Sequence, residues 1–230
     1  MRIFISTGEV SGDLQGGMLV EALRRQAAPE LEIVALGGDR MKAAGATLLA
    51  NTTGIGSVGL LEALPFVLPT LQIQNQTKQY LQDHPPDVLV LIDYAAPNIA
   101  IGSYVKKKLP QVPIVYYIAP QDWAVPMLGN AAKLAKFVDR LLAIFPEEAK
   151  YYQQQGIEST WVGHPLLDRM QNTLTRTQAR QLLGIDPTAT VITLFPASRQ
   201  QEIQQMLPII AAAAQLIQIK IPNVQFLIPV

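Results

Sequence analysis

The 230-residue chain corresponds to about one and a half domains of roughly 150 residues each. Its 49% hydrophobic and 16% charged residues, against about 25% charged in an average domain, exclude intrinsic disorder. With 18 basic and 18 acidic residues there is no polybasic field to hold nucleic acid, and the lack of cysteine excludes disulfides, thiolate metal sites and a cysteine nucleophile.

In chain order, near-continuous apolar runs predict strands at Arg2–Thr7, Glu32–Gly38, Asp87–Asp93, Ile114–Pro120, Arg140–Pro146 and Thr160–Gly163. Continuous rather than alternating runs suit strands covered on both faces. Helical segments lie between them at Ser11–Gln26, Leu60–Gln82, Ile99–Leu109, Asn130–Phe137 and Glu147–Gln155. This alternation predicts an α/β fold with a doubly wound parallel sheet over residues 1–167. Residues 168–187, rich in Gln, Thr and Arg, read as a linker with a short helix. A new unit follows over 188–230: strand Val191–Pro196, helix Gln201–Ile219 and strand Val224–Val230. Two strands and one helix cannot cover both faces of a parallel sheet, so this reads as the first βαβ of an incomplete second domain. The longest uncharged stretch, Ala43–Leu61, carries Asn51, Thr52, Thr53 and several glycines, and so does not read as a membrane span. The opening apolar run stops at Thr7-Gly8-Glu9, too soon for a signal peptide.

Ligands of open parallel sheets bind beyond the carboxyl ends of the strands, and four polar clusters fall there. Gly8-Glu9-Val10-Ser11-Gly12-Asp13 lacks the glycine spacing of a dinucleotide loop. Its carboxylates suit sugar hydroxyls, or else Ser11 caps a helix and Asp13 complements its dipole. Asp93 ends a buried run ahead of Tyr94-Ala-Ala-Pro97-Asn98. It is placed either to act as a general base or to hydrogen-bond the turn before a helix. Arg199 in Ser198-Arg199 opposes the dipole of the helix it begins, which suits forked binding of an anion; pairing with Glu202 is the alternative. His164 in Gly163-His164-Pro165 reads as structural or catalytic, and with only His84 besides it no multi-histidine metal site forms. Leu60, Leu61, Leu64, Phe66, Val67, Leu68, Leu71 and Ile73, interrupted by Pro65 and Pro69, read either as an exposed apolar patch for lipid or protein or as a kinked core helix.

Taken in order, these motifs resemble the lipid-A-disaccharide synthases, glycosyltransferases with two Rossmann-like domains (GT-B). The matching stretches are Gly8–Asp13, Gly37-Gly-Asp-Arg-Met41 with Gly45, Gly59-Leu-Leu-Glu62, Ile92-Asp93 through Asn98, Pro120 with Trp123, Phe145-Pro-Glu-Glu148, Val162-Gly-His-Pro-Leu166 and Phe195-Pro-Ala-Ser-Arg199 with Glu202. The resemblance implies transfer from UDP-2,3-diacylglucosamine to 2,3-diacylglucosamine 1-phosphate (lipid X), with release of UDP and no cofactor or metal. It implies catalytic roles for Asp93 and Arg199. Substrate contacts are implied at Gly8, Glu9, Ser11, Gly12, Asp13, Asn98, Trp123, His164, Ser198 and Glu202. It also implies peripheral contact with the cytoplasmic face of the inner membrane through the apolar segment, no nucleic-acid partner, and compatibility with a homodimer. Ala96, Pro97, Ala197 and Val125-Pro126 depart from the family pattern. Most of the family's UDP-binding domain would lie beyond Val230. The rival readings are a GT-B enzyme acting on a soluble UDP-sugar and a truncated, inactive lipid- or partner-binding fragment.

Overall fold

The computed structural model describes residues 1–26, 30–53, 60–125, 129–171, 173–197 and 200–229, with the backbone alone at 60–66, 200 and 201. The chain divides into two compact units, Met1–Asp168 and Arg169–Val230.

The first unit opens with β1 (Arg2–Ser6), α1 (Val10–Gln26), β2 (Glu32–Gly37), α2 (Asp39–Ala43) and β3 (Thr47–Asn51). It continues through α3 (Leu60–Asp83), β4 (Val88–Ile92), α4 (Ala95–Lys108) and β5 (Ile114–Tyr117). A short 3₁₀ turn (Gln121–Trp123) then leads to α5 (Asn130–Leu134), β6 (Arg140–Ala143), α6 (Pro146–Gln154) and β7 (Ser159–Trp161). All seven strands are parallel, in the order β3-β2-β1-β4-β5-β6-β7. The order reverses direction between β1 and β4, the switch point at which doubly wound sheets open a crevice.

Alternate residues of each strand feed two cores. Phe4, Leu89, Leu91, Ile114, Tyr116 and Leu141 pack on one face, with Ile101 and Val105 of α4 and Tyr152 of α6. Ile3, Ile5, Ile33, Ala35, Val90 and Ile92 pack on the other, with Val20 of α1 and Met41 of α2. Burial on both faces explains why the strands read as unbroken apolar runs.

Several short elements escape the sequence reading, β3, α2 and the 3₁₀ turn among them. β3 is a short edge strand inside the uncharged Ala43–Leu61 stretch, and α2 has only five residues, too few to show a helical period. Pro65 and Pro69 both lie within the single helix α3. On this helix Val67, Leu68 and Leu71 are exposed, whereas Ile73 packs against the core. The side chains of the remaining patch residues, Leu60 to Phe66, lie outside the described residues.

α7 (Leu166–Met170) carries the chain across the boundary between the units. The second unit holds α8 (Arg176–Leu182), β8 (Val191–Thr193), α9 (Gln200–Lys220) and β9 (Gln225–Leu227). Here β8 pairs with β9 in parallel. The segment read as a linker is folded into this unit: Thr175 caps α8, and the Arg180 guanidinium donates to the carbonyls of Asp186, Pro187 and Ala189. Phe195, Ile209, Leu216 and Ile219 are exposed. Among the described residues no helix is long and apolar enough to cross a membrane.

Candidate functional site at the carboxyl edge of the seven-stranded sheet

Loops after β1, β4, β5, β6 and β7 bring the chemistry of the first unit to one edge of the sheet. At the switch point stand two carboxylates, Glu9 after β1 and Asp93 after β4. Asp93 holds its proton more tightly than an ordinary aspartate does. Burial is the main cause and the charge of Glu9 adds to it, while a hydrogen bond from the Tyr94 amide opposes them. A half-buried acid with raised proton affinity is suited to general-base work near neutral pH.

The backbone that presents Asp93 is unusual. Asp93 and Tyr94 both sit in the left-handed region, with φ of 47° and 48°. For non-glycine residues each such position costs about 1–3 kcal/mol and persists only where the surroundings enforce it. The Asp93 amide donates to the Ile118 carbonyl at 3.1 Å. Its carbonyl accepts from Asn98 Nδ2 at 2.8 Å and from the Tyr116 hydroxyl at 2.7 Å. The Tyr94 ring packs on Gly8, where a Cβ would lie 2.1 Å from a ring carbon.

Two residues expected to meet substrate are used internally instead. Asn98 is 0% exposed: its Oδ1 accepts from Ser6 Oγ, and its Nδ2 donates to the carbonyls of Ser6, Ile92 and Asp93. With its amide spent on three carbonyls, it has no free donor or face for a ligand. The Asp13 carboxylate is likewise buried and accepts the amides of Gly38, Arg40 and Met41 at 2.7–3.1 Å. It closes the N-terminus of α2, whose own cap residue, Gly38, has no side chain.

Other members of the first loop also have packing roles. Gly12 is buried against Thr7, whose Oγ1 would lie 1.9 Å from an added Cβ. α1 begins at Val10, so Ser11 is an exposed residue of its first turn rather than its cap.

Further along the edge, Trp123, Phe145 and His164 form an aromatic row. Ring centroids are 5.5 Å apart for Trp123–Phe145 and 5.6 Å for Phe145–His164. Gly163, at φ 82°, turns the chain into His164, whose Nδ1 accepts the Leu166 amide. Two buried acids brace this edge. Glu148 accepts the amides of Ala119, Ile144 and Phe145, tying the loops after β5 and β6 to α6. Asp122 accepts from Asn130 and Ala131 and so fixes the turn that carries Trp123.

Glu202 is half-buried in the first turn of α9, in the second unit. Ser198 and Arg199 lie outside the described residues. Among the described residues no cluster of three or more His, Asp or Glu is arranged to hold a metal ion.

Tyr116 and Ser6 were not among the residues singled out from sequence, and Tyr94 and Phe145 stood there only as members of motifs, without a role of their own. Tyr116 did carry one signal: a tyrosine in an otherwise apolar buried strand must find a partner for its hydroxyl.

Residues 3–230 match the family described as lipid-A-disaccharide synthetase. The chain belongs to that family. It is 59% identical over 233 residues to the lipid-A-disaccharide synthase of Gloeothece citriformis and 58% identical over 235 residues to that of Synechocystis sp.. These alignments cover all of this chain but 61% and 60% of the relatives, so the chain spans about three fifths of their length.

Among solved structures it resembles a UDP co-structure of MnaA from S. aureus, with TM-score 0.67, 16% identity, and coverage of 99% of this chain and 61% of the other. It also resembles the Neisseria meningitidis UDP-GlcNAc 2-epimerase bound to UDP-GlcNAc, with TM-score 0.66, 13% identity, and coverage of 100% and 66%. At such identity the likeness is one of fold. It agrees with the α/β, GT-B-like architecture expected from the lipid-A-disaccharide synthase motifs, with the doubly wound parallel sheet amino-terminal.

Proposed function

We propose that this chain supplies the acceptor side of an inverting glycosyl transfer that joins UDP-2,3-diacylglucosamine to lipid X, giving the lipid A disaccharide 1-phosphate and UDP. The observation that carries this reading is Asp93. It is an acid at the switch point of a sheet in the lipid-A-disaccharide synthetase family, with its proton affinity raised by burial and by Glu9.

The Asp93 carboxylate takes the proton of the acceptor 6-hydroxyl as that oxygen bonds to the anomeric carbon of the donor. The bond from the anomeric carbon to the UDP β-phosphate oxygen breaks in the same displacement. UDP departs with its added negative charge on Arg199, with Ser198 and Glu202 beside it in sequence. Gly8 and Glu9 shape the floor of the acceptor site, and Trp123 and His164 offer ring faces to the sugar. The exposed apolar side chains of α3 rest on the cytoplasmic face of the inner membrane, from which both lipid substrates are drawn.

The test is turnover of UDP-2,3-diacylglucosamine and lipid X by this chain, and by this chain continued with the carboxyl-terminal segment of the Gloeothece citriformis relative. Disaccharide and UDP should appear at least from the continued chain. Asp93→Ala should abolish turnover, and Arg199→Ala should lower it about a hundredfold or more, the scale of losing one charge-stabilising donor. Near-normal turnover by Asp93→Ala would refute the base assignment. A continued chain that turns over neither substrate would leave an inactive lipid- or partner-binding protein.

A further inference from the structure

We propose that Tyr116 and Asn98 are positioning residues for Asp93, clamping its backbone carbonyl from β5 and from α4 so that its carboxylate is aimed into the crevice beside Glu9. The inference rests on the reading of Asp93 as the base.

Three observations carry it. The first is the number of donors on one oxygen. The first bond of α4 runs from the Asn98 amide to the Tyr94 carbonyl, so the helix makes no demand on the Asp93 carbonyl. A buried carbonyl needs only one partner to be satisfied. This one receives two, the Tyr116 hydroxyl at 2.7 Å and Asn98 Nδ2 at 2.8 Å.

The second is the backbone. With the Asp93 amide held by Ile118 and its carbonyl held twice, the peptide groups on both sides of the residue are fixed, and with them the direction of the Cα–Cβ bond. That fixed arrangement is the left-handed pair at Asp93 and Tyr94, which an unconstrained chain abandons. Only the side-chain torsions of Asp93 remain to be set.

The third is the chemistry of the clamp. Tyr116 and Asn98 are both 0% exposed, and Ser6 Oγ in turn orients Asn98 through its Oδ1 at 2.7 Å. Phenylalanine would fill the Tyr116 position in the core equally well, so the hydroxyl is present for its one acceptor. Positioned catalytic groups depend on such buried hydrogen-bonded support, and misplacement of about 1 Å is worth about a hundredfold in rate.

The experiment follows the Asp93 carboxyl carbon by NMR through a pH titration of the 230-residue chain, alongside turnover of the continued chain described above. Among the described residues Glu9 raises the proton affinity of Asp93 and Asp93 in turn raises that of Tyr116, and the phenol, held neutral by its burial, does not titrate in the range of a carboxyl. Tyr116→Phe keeps the ring and removes only the hydroxyl. It should move the Asp93 midpoint toward that of an ordinary aspartate and lower kcat about tenfold, with KM changed less than twofold. Asn98→Ala should do the same more strongly; if it fails to fold, Tyr116→Phe decides alone.

A folded Tyr116→Phe variant with an unmoved Asp93 midpoint would overturn the proposal whether or not the continued chain turns over. So would an unchanged kcat where that chain is active. Should Asp93→Ala itself retain turnover, the base reading fails while the titration still reports whether the clamp sets the carboxyl.

Discussion

The Asp13 carboxylate of α1 accepts the Gly38 amide at 2.7 Å and closes the N-terminus of α2 from outside that helix. Two motifs far apart in sequence, Gly8–Asp13 and Gly37–Met41, thereby become one piece of structure. The contact is tightened where the Met41 sulfur lies against Gly16 and Gly37. Hydrogen bonds to a buried charged group are worth about 1.5–3 kcal/mol each, though three on one carboxylate do not add in full. Asp13→Ala should therefore lower stability by about 3 kcal/mol, and Asp13→Asn, which keeps one acceptor, by about half of that. Urea unfolding of the chain measures both. A loss below about 1 kcal/mol for Asp13→Ala would mean that α2 is held by something else.

Gly8 and Tyr94 form a second coupled pair. An alanine Cβ at position 8 would fall 2.1 Å from the Tyr94 ring, so Gly8→Ala must displace the ring from its place beside Asp93. Overpacking of this kind costs about 1–3 kcal/mol. In a Tyr94→Ala background most of that cost should vanish, giving a coupling energy of at least about 1 kcal/mol in a double-mutant cycle. Additive single and double variants would refute the contact.

Burial and Glu9 raise the proton affinity of Asp93 in the folded chain. A carboxyl that binds its proton more tightly folded than unfolded stabilises the fold fully below the unfolded value of about 4. That contribution is lost as pH rises through the higher folded value. Asp93→Asn removes the titration and keeps a residue that tolerates the left-handed conformation. The variant should melt higher than the parent at pH 7, and the gap should close as pH is lowered past 4. Parallel melting curves across that range would show that Asp93 titrates normally.

Val67, Leu68 and Leu71 are 46%, 71% and 50% exposed on α3. Substituting all three by serine removes little folded-state packing, so the melting temperature should hold. If this face rests on lipid, binding to phospholipid vesicles should fall at least tenfold, since even partial burial of three large apolar side chains exceeds about 1.4 kcal/mol. Unchanged co-sedimentation with vesicles would place the lipid contact elsewhere.

The sheet was legible because its strands are buried on both faces. Runs such as Val88–Ile92 and Ile114–Pro120 carry apolar or aromatic residues at every position, a pattern that needs helices on either side. β3 and α2 were not legible: five residues at a sheet edge, or in one helical turn and a half, carry no readable period. Asp93 was readable as a candidate because a charge at the end of a buried run must emerge at the sheet edge. Asn98 and Asp13 sit in equally conspicuous motifs, yet each is consumed by backbone groups that approach only on folding.

Composition and local pattern by themselves determined the α/β class and the run of most strands and helices. They also determined the family motifs, since burial periodicity and loop chemistry are properties of neighbours along the chain. Tertiary structure alone decided which polar residues face the crevice and which are spent inside. Asp93 and Glu9 meet because β1 and β4 are adjacent in the sheet while more than 80 residues apart in sequence. Tyr116 reaches the Asp93 carbonyl because β5 is next in that same order. Hydrogen bonds of this kind depend on distances of a few tenths of an ångström between distant segments, which only the packed sheet sets.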